Sequence, residues 1–94
     1  IPKEFALHTN YPNPFNPTTT IQYDLESITL VKLQIFDIKG RLLKTLVNEI
    51  QNPGRYLSKW DATDMLGNHV SAGVYLYYIE AGENRASKKM ILLK

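Results

Sequence analysis

His8 and His69 are the two imidazoles of this chain of 94 residues, and cysteine is absent. An enzyme needs an acid, a base and a nucleophile that converge. Here there is no thiol, no Gly-x-Ser-x-Gly elbow and no phosphate-cradling glycine loop. His8 falls in an extended terminal segment and His69 in a turn, where solvation or a local hydrogen bond is the expected fate of an imidazole. Catalysis is therefore the least supported class of function. The missing cysteines also exclude disulfide staples and thiolate zinc sites, and they leave the cellular compartment open. Asp61, Asp64 and Asn68 gather oxygen ligands within one loop, but calcium takes about six to eight oxygens. The spacing is not that of an EF-hand. Asx turns, in which short side chains bond their own backbone, account for the same residues, so no required metal or cofactor is expected.

Aromatic residues offer a second chemistry, since Tyr11, Tyr56, Trp60, Tyr75, Tyr77 and Tyr78 would stack on sugar rings if they formed a flat platform. Tyr56 and Trp60 share one parity, as do Tyr75 and Tyr77, which is how two packed sheets fill the space between them. Tyr78 alone has the parity of a surface ring. The third candidate is the basic end. Arg85, Lys88, Lys89 and Lys94 lie in the last ten residues with no acid among them, whereas the rest of the chain has seven basic and nine acidic residues. Four cations do not make a sequence-reading nucleic-acid surface, so no nucleic acid is expected as a partner. Lysines alternating with apolar residues are also what protects an edge strand from aggregation.

The elements that position these groups are strands. Alternation of period two, broken about every ten residues by turn formers, predicts an antiparallel all-β domain. Ile21, Tyr23 and Leu25 share one face, and Val31, Leu33 and Ile35 another. Gly40 supplies the positive φ of a tight hairpin after Asp37. Leu43 and Leu46 are three apart within the strand from Leu42 to about Ile50, which implies a β-bulge or an irregular edge. Asn52-Pro53-Gly54 marks a turn, and a polar connection from Asp61 to Gly73 leads into the most β-prone segment, Val74 to Ala81, expected to be central. Gly82-Glu83-Asn84 closes a hairpin into Arg85 to Lys94. The run Met90 to Leu93, apolar at both parities, predicts a last strand covered on both faces. Three prolines keep Tyr11 to Pro17 out of a central strand and place it along an edge, while residues 1–10 read as a linker-like lead-in.

About seven strands with a central Trp60 predict an immunoglobulin-like or fibronectin-like β-sandwich. Its expected core is Ile21, Tyr23, Val31, Leu33, Ile35, Tyr56, Trp60, Tyr75, Tyr77 and Ile79. With 44% hydrophobic and 21% charged residues the chain suits one folded domain. The longest apolar run is too short to span a bilayer, so no transmembrane segment is expected. No signal peptide opens the sequence, and the missing initial methionine suggests a fragment of a larger secreted protein.

These stretches resemble a known family, the C-terminal sorting domain of type IX secretion cargo, also called the Por secretion tail. Its sequences overlap those of the Ig-like domain of the flagellar hook-capping protein. The resemblance rests on Tyr11-Pro12-Asn13-Pro14-Phe15-Asn16-Pro17-Thr18-Thr19, Asp37-Ile38-Lys39-Gly40-Arg41, Leu46-Val47-Asn48-Glu49, Trp60-Asp61, Ser71-Ala72-Gly73-Val74-Tyr75 and Lys88 to Lys94. Ala62 stands where the family usually has glycine, Ser58 where it is usually apolar, and Glu26 where proline is common. The resemblance implies a non-catalytic address label at the end of a larger cargo, read by an outer-membrane translocon and in many cargos cut by a sortase-like peptidase. By position, the signal would lie in Gly73, Val74 and Tyr75 and in the tail Lys88, Lys89, Met90, Ile91, Leu92, Leu93 and Lys94. Cargo of this kind is secreted or held at the cell surface after crossing the periplasm of a Gram-negative bacterium. Receptor capture would combine main-chain pairing to an edge strand with charge complementarity to the lysines. Two other readings compete: a permanent accessory module, structural or carbohydrate-binding, beside a secreted enzyme, and a hook-capping scaffold domain.

Overall fold

A computed structural model describes residues 1–93. Among these there is no helix, and the seven strands are β1 (Ala6–Leu7), β2 (Thr19–Leu25), β3 (Thr29–Asp37), β4 (Leu42–Gln51), β5 (Gly54–Trp60), β6 (Gly73–Ala81) and β7 (Asn84–Leu92). They form two antiparallel sheets. One has the order β1-β2-β5 and the other β4-β3-β6-β7. The Ig-like sandwich that the alternation predicts is the observed fold.

The inner faces carry the expected parities: Ile21, Val31, Leu33, Ile35, Tyr77 and Ile79 are fully buried, and Tyr23 and Trp60 are 1% exposed. Tyr56 is half-buried rather than enclosed because β5 is an outer strand, and its ring stacks on Tyr23 with centroids 5.3 Å apart. Trp60 anchors the other end of the core. Its indole donates to Thr63 O at 2.9 Å and meets Phe15 at 5.8 Å and Tyr75 at 5.5 Å between ring centroids.

The spacing of Leu43 and Leu46 is resolved by two irregularities. Pairing of β3 with β4 passes from Leu33↔Val47 to Gln34↔Thr45 and from Ile35↔Lys44 to Phe36↔Leu42, so Leu46 and Leu43 are the extra residues. Each bulge bends β4 and lets a leucine pack against the core. At the β3–β4 turn Gly40 has φ 84°, and Asp37 Oδ1 accepts from the amides of Lys39 and Arg41.

The proline segment runs along two edges in succession. Tyr11 bridges Thr20 in the three-stranded sheet, and Phe15 then bridges Leu92 in the other, with Phe15 only 1% exposed. The X-Pro bonds at Pro12, Pro14 and Pro17 are cis. We call residues 12–17 the strap. Part of the lead-in packs as well: β1 pairs with β2, and Asn10 is 2% exposed. Its amide donates to Tyr77 Oη at 2.9 Å, and Tyr77 Oη donates to His8 O at 2.7 Å. A strand of two residues shows no alternation, which is why it does not stand out in the sequence.

One expectation about the tail is corrected. Met90 and Leu92 are buried, but Ile91 is 42% and Leu93 51% exposed. β7 is the outermost strand of its sheet, and only its inner row meets the opposite sheet. The apolar outer residues are left open rather than covered.

Candidate sorting surface

The β6–β7 hairpin positions most of the candidate residues. Nine consecutive pairs join the two strands without a register shift, from Gly73↔Leu92, Val74↔Ile91 and Tyr75↔Met90 through Leu76↔Lys89 and Tyr77↔Lys88 to Ala81↔Asn84. Gly73, Val74 and Tyr75 are thus adjacent to the end of the tail. Gly73 opens β6 with φ 152°, a conformation that L side chains rarely adopt. Tyr75 returns its hydroxyl to Ser71 O, tying the loop before β6 to the strand itself. This is the device of a tyrosine corner.

Parity divides the tail into three parts. Met90 and Leu92 point inward and hold the strand to the core. Lys88 shares their row, yet it is exposed, as a charge on the inward row of an edge strand should be. Lys89 and Ile91 belong to the outer row, so the two lysines that adjoin in sequence stand on opposite faces. Lys94 lies outside the described residues. Arg85 is drawn to Glu80 at 3.2 Å, which leaves Lys88 and Lys89 as the unneutralised cations of β7 among the described residues.

The strap covers one end of this strand. Phe15 N donates to Ile91 O at 2.9 Å, Leu93 N donates to Phe15 O at 2.9 Å, and Ile91 N donates to Asn13 Oδ1 at 3.0 Å. Asn13 and Phe15 are site residues that alternation does not reveal. A proline-rich stretch has no periodicity to read, and the one available signal is a large apolar residue set among prolines. The outer face beside the hairpin carries an apolar row as well: Leu42 pairs with Phe36, and Phe36 with Leu76. Next to it, on the Asp37–Arg41 turn and the 70–75 loop, lies an open cleft of about 400 Å³ lined by Asp37, Arg41, Leu43, Ser71, Gly73 and Tyr75. The amides of Arg41 and Lys39 and the Arg41 guanidinium hold the Asp37 carboxyl below its ordinary range.

The remaining polar candidates are structural. Asp64 Oδ1 accepts from the amides of Leu66 and Asn68, and Asp61 Oδ1 accepts from Thr63. The Thr63 hydroxyl bond pulls the Asp61 carboxyl below its usual range. Each thus caps its own loop, as Asx geometry requires. Among the described residues no group of three or more metal-ligating side chains forms. His69 sits in a turn bridged to Thr63, while His8 has a partner that sequence distance hides: its Nε2 lies 2.9 Å from Oδ2 of the buried Asp24. Trp60, Tyr75 and Tyr77 are in the core and form no open platform. Tyr78 is half-buried edge-on to Phe36, and the ring that does stand free is Tyr11, 80% exposed.

A two-sheet sandwich with its last hairpin at one edge defines an Ig-like module. Residues 9–93 match the Secretion system C-terminal sorting domain, and the chain belongs to that family. The fold is shared with dimeric latent PorU from Porphyromonas gingivalis, at TM-score 0.73 and 24% identity over 93% of this chain and 9% of that one. It is also shared with PorZ of the same organism, an essential bacterial surface component of the type IX secretion system, at TM-score 0.66 and 24% identity over 94% of this chain and 11% of PorZ. FlgD from P. aeruginosa has the same fold at TM-score 0.62 and 17% identity, over 84% of this chain and 67% of that one. The chain therefore spans about a tenth of the length of PorU and PorZ. No curated protein matches it by sequence.

Proposed function

We propose that the domain is the export address of a larger cargo chain, captured by the outer-membrane translocon of a type IX secretion system. The match to the sorting family over residues 9–93 is the observation that carries this reading. The cargo domain N-terminal to it in the same chain is what travels. A sortase-like peptidase is the second partner, acting after passage through the periplasm and leaving the cargo secreted or at the cell surface. Recognition rests on Gly73–Tyr75 and on the tail from Lys88 to Lys94. The buried Met90 and Leu92 hold the strand, while the exposed Lys88 and Lys89 meet the receptor. Fused to a reporter in a bacterium with type IX secretion, the domain directs export. Removing Lys88–Lys94 leaves the reporter in the periplasm, and so does Lys88→Glu/Lys89→Glu, which alters only exposed side chains. Export by both fusions would favour a permanent accessory module instead.

A further inference from the structure

The hydrogen bonds of the strap reveal which way the backbone of β7 faces. Ile91 uses both its N–H and its C=O outward, toward Asn13 and Phe15, so the Val74↔Ile91 pair is one of those that exchange no ladder bonds with β6. In an antiparallel ladder that state recurs every second residue. With no register shift in the hairpin, Lys89, Ser87 and Arg85 therefore also aim their N–H and C=O groups away from β6. The strap covers Ile91 and Leu93 but stops there. From Arg85 to Lys89 the edge is a regular, unbulged row about 14 Å long.

We infer that this row accepts an extended, acidic polypeptide segment as an additional strand, and that Lys88 and Lys89 select it by charge. The inference rests on the sorting reading only for its biological meaning; the pairing itself follows from the edge. Main-chain bonds to an open edge give affinity, and side chains at alternate positions give selectivity. An incoming strand places consecutive residues opposite Lys88 on the inner row and Lys89 on the outer row, so carboxylates at both positions are complementary. The same lysines oppose a second copy of this chain. Two antiparallel β7 edges centred on Ser87, the one register that uses the whole row, would set Arg85 against Lys89, and a shift toward the tail would set Lys88 against Lys88. Like charges directly opposite disfavour pairing. The partner is thus an acidic strand from another polypeptide and not another β7.

Ser87→Pro separates pairing from folding. It deletes an outward N–H that β6 does not use, and an edge position of this kind tolerates proline. The 94-residue chain is titrated with a synthetic octapeptide in which pairs of adjacent glutamates alternate with pairs of threonines, with a lysine-for-glutamate peptide as comparison, while backbone amide signals are followed. The glutamate peptide slows exchange of the Arg85, Ser87 and Lys89 amides, the lysine peptide does not, and both Ser87→Pro and Lys88→Glu/Lys89→Glu weaken binding at least tenfold. Equal binding of both peptides, binding unaffected by Ser87→Pro, or failure of the glutamate peptide to bind overturns the inference. So does concentration-dependent protection of those amides without peptide, which would mean self-pairing. The reporter fusion distinguishes the two levels. A folded Ser87→Pro domain that still directs export overturns strand addition and leaves the sorting role standing. Failure of the intact domain to direct export overturns the sorting role whatever the peptide does.

Discussion

The four-stranded sheet has two edges, β4 and β7, and they are protected in opposite ways. β4 is bulged at Leu43 and Leu46, and the loop after Thr63 closes over it, with Met65 N donating to Leu43 O at 2.9 Å. Bulges and covering loops are how sheets prevent unwanted pairing. β7 has neither along Arg85 to Lys89. It stays in register with β6 for all nine pairs, and its protection is electrostatic, from exposed lysines on both faces. Geometry blocks any partner, whereas charge blocks only partners of the same sign. The difference marks β7 as the edge kept available.

The largest effect that sharpens this comparison comes from the core both edges share. Trp60→Ala removes the ring on which Phe15 and Tyr75 lean, and it should destabilise the domain by about 3 to 5 kcal/mol in chemical denaturation. A loss below about 1 kcal/mol would mean that the indole does not anchor the strap, and the contrast between the covered and open parts of β7 would lose its basis.

A smaller effect is reached by pH. Burial pushes the Tyr23 phenol up to about 12 and raises that of Tyr77 as well. A phenol whose pKa is higher in the folded than in the unfolded chain contributes stability that is complete below the unfolded value, near 10, and is lost as pH rises toward the folded one. The denaturation midpoint should therefore fall between pH 10 and 12, and Tyr23→Phe should flatten that fall. Because Tyr77 lies on β6 and its hydroxyl holds the lead-in, β1 should release before β7 does as the alkaline limit is approached. Simultaneous loss of both would show that the two regions are not independently held.

The smallest expected effect concerns a departure from the family pattern. Ala62 is 2% exposed with φ 64°, in the left-handed region that glycine occupies at little cost. Ala62→Gly relieves roughly 1 kcal/mol of backbone strain but removes a buried methyl worth about 0.8 kcal/mol. The two terms nearly cancel, and stability should change by less than about 1 kcal/mol. A larger gain would identify this turn, rather than the strap, as the weak point of the end where β7 finishes.

Much of the sandwich is legible in the sequence because burial on one face of a strand writes itself as alternation. Ile21 to Leu25, Val31 to Ile35 and Tyr75 to Ile79 each carry that signature, and the odd spacing of Leu43 and Leu46 foretells the bulges. The tail is legible in part. Met90 to Leu93 suggests cover on both faces, since an apolar run does not distinguish a buried strand from an edge strand whose outer residues remain open. Lys88 and Lys89 read as one charge cluster, and only the pleat separates them. The strap and β1 leave no periodic trace, and the contact of His8 with Asp24 spans a distance that local reading does not bridge. What the structure adds is therefore long-range pairing, and it is this pairing that divides β7 into a covered and an open part.

That division can be measured residue by residue through amide hydrogen exchange in the isolated chain. The amides of Arg85, Ser87 and Lys89 should exchange nearly as fast as in an unfolded peptide, while those of Ile91 and Leu93, bonded to Asn13 and Phe15, and those of Ala86, Lys88 and Met90, bonded to β6, should be protected. Alternating fast and slow amides that stop at Ile91 is the expected result. Uniform protection from Asn84 to Leu92 would show that the edge is already covered and would contradict the claim that β7 is open to a partner.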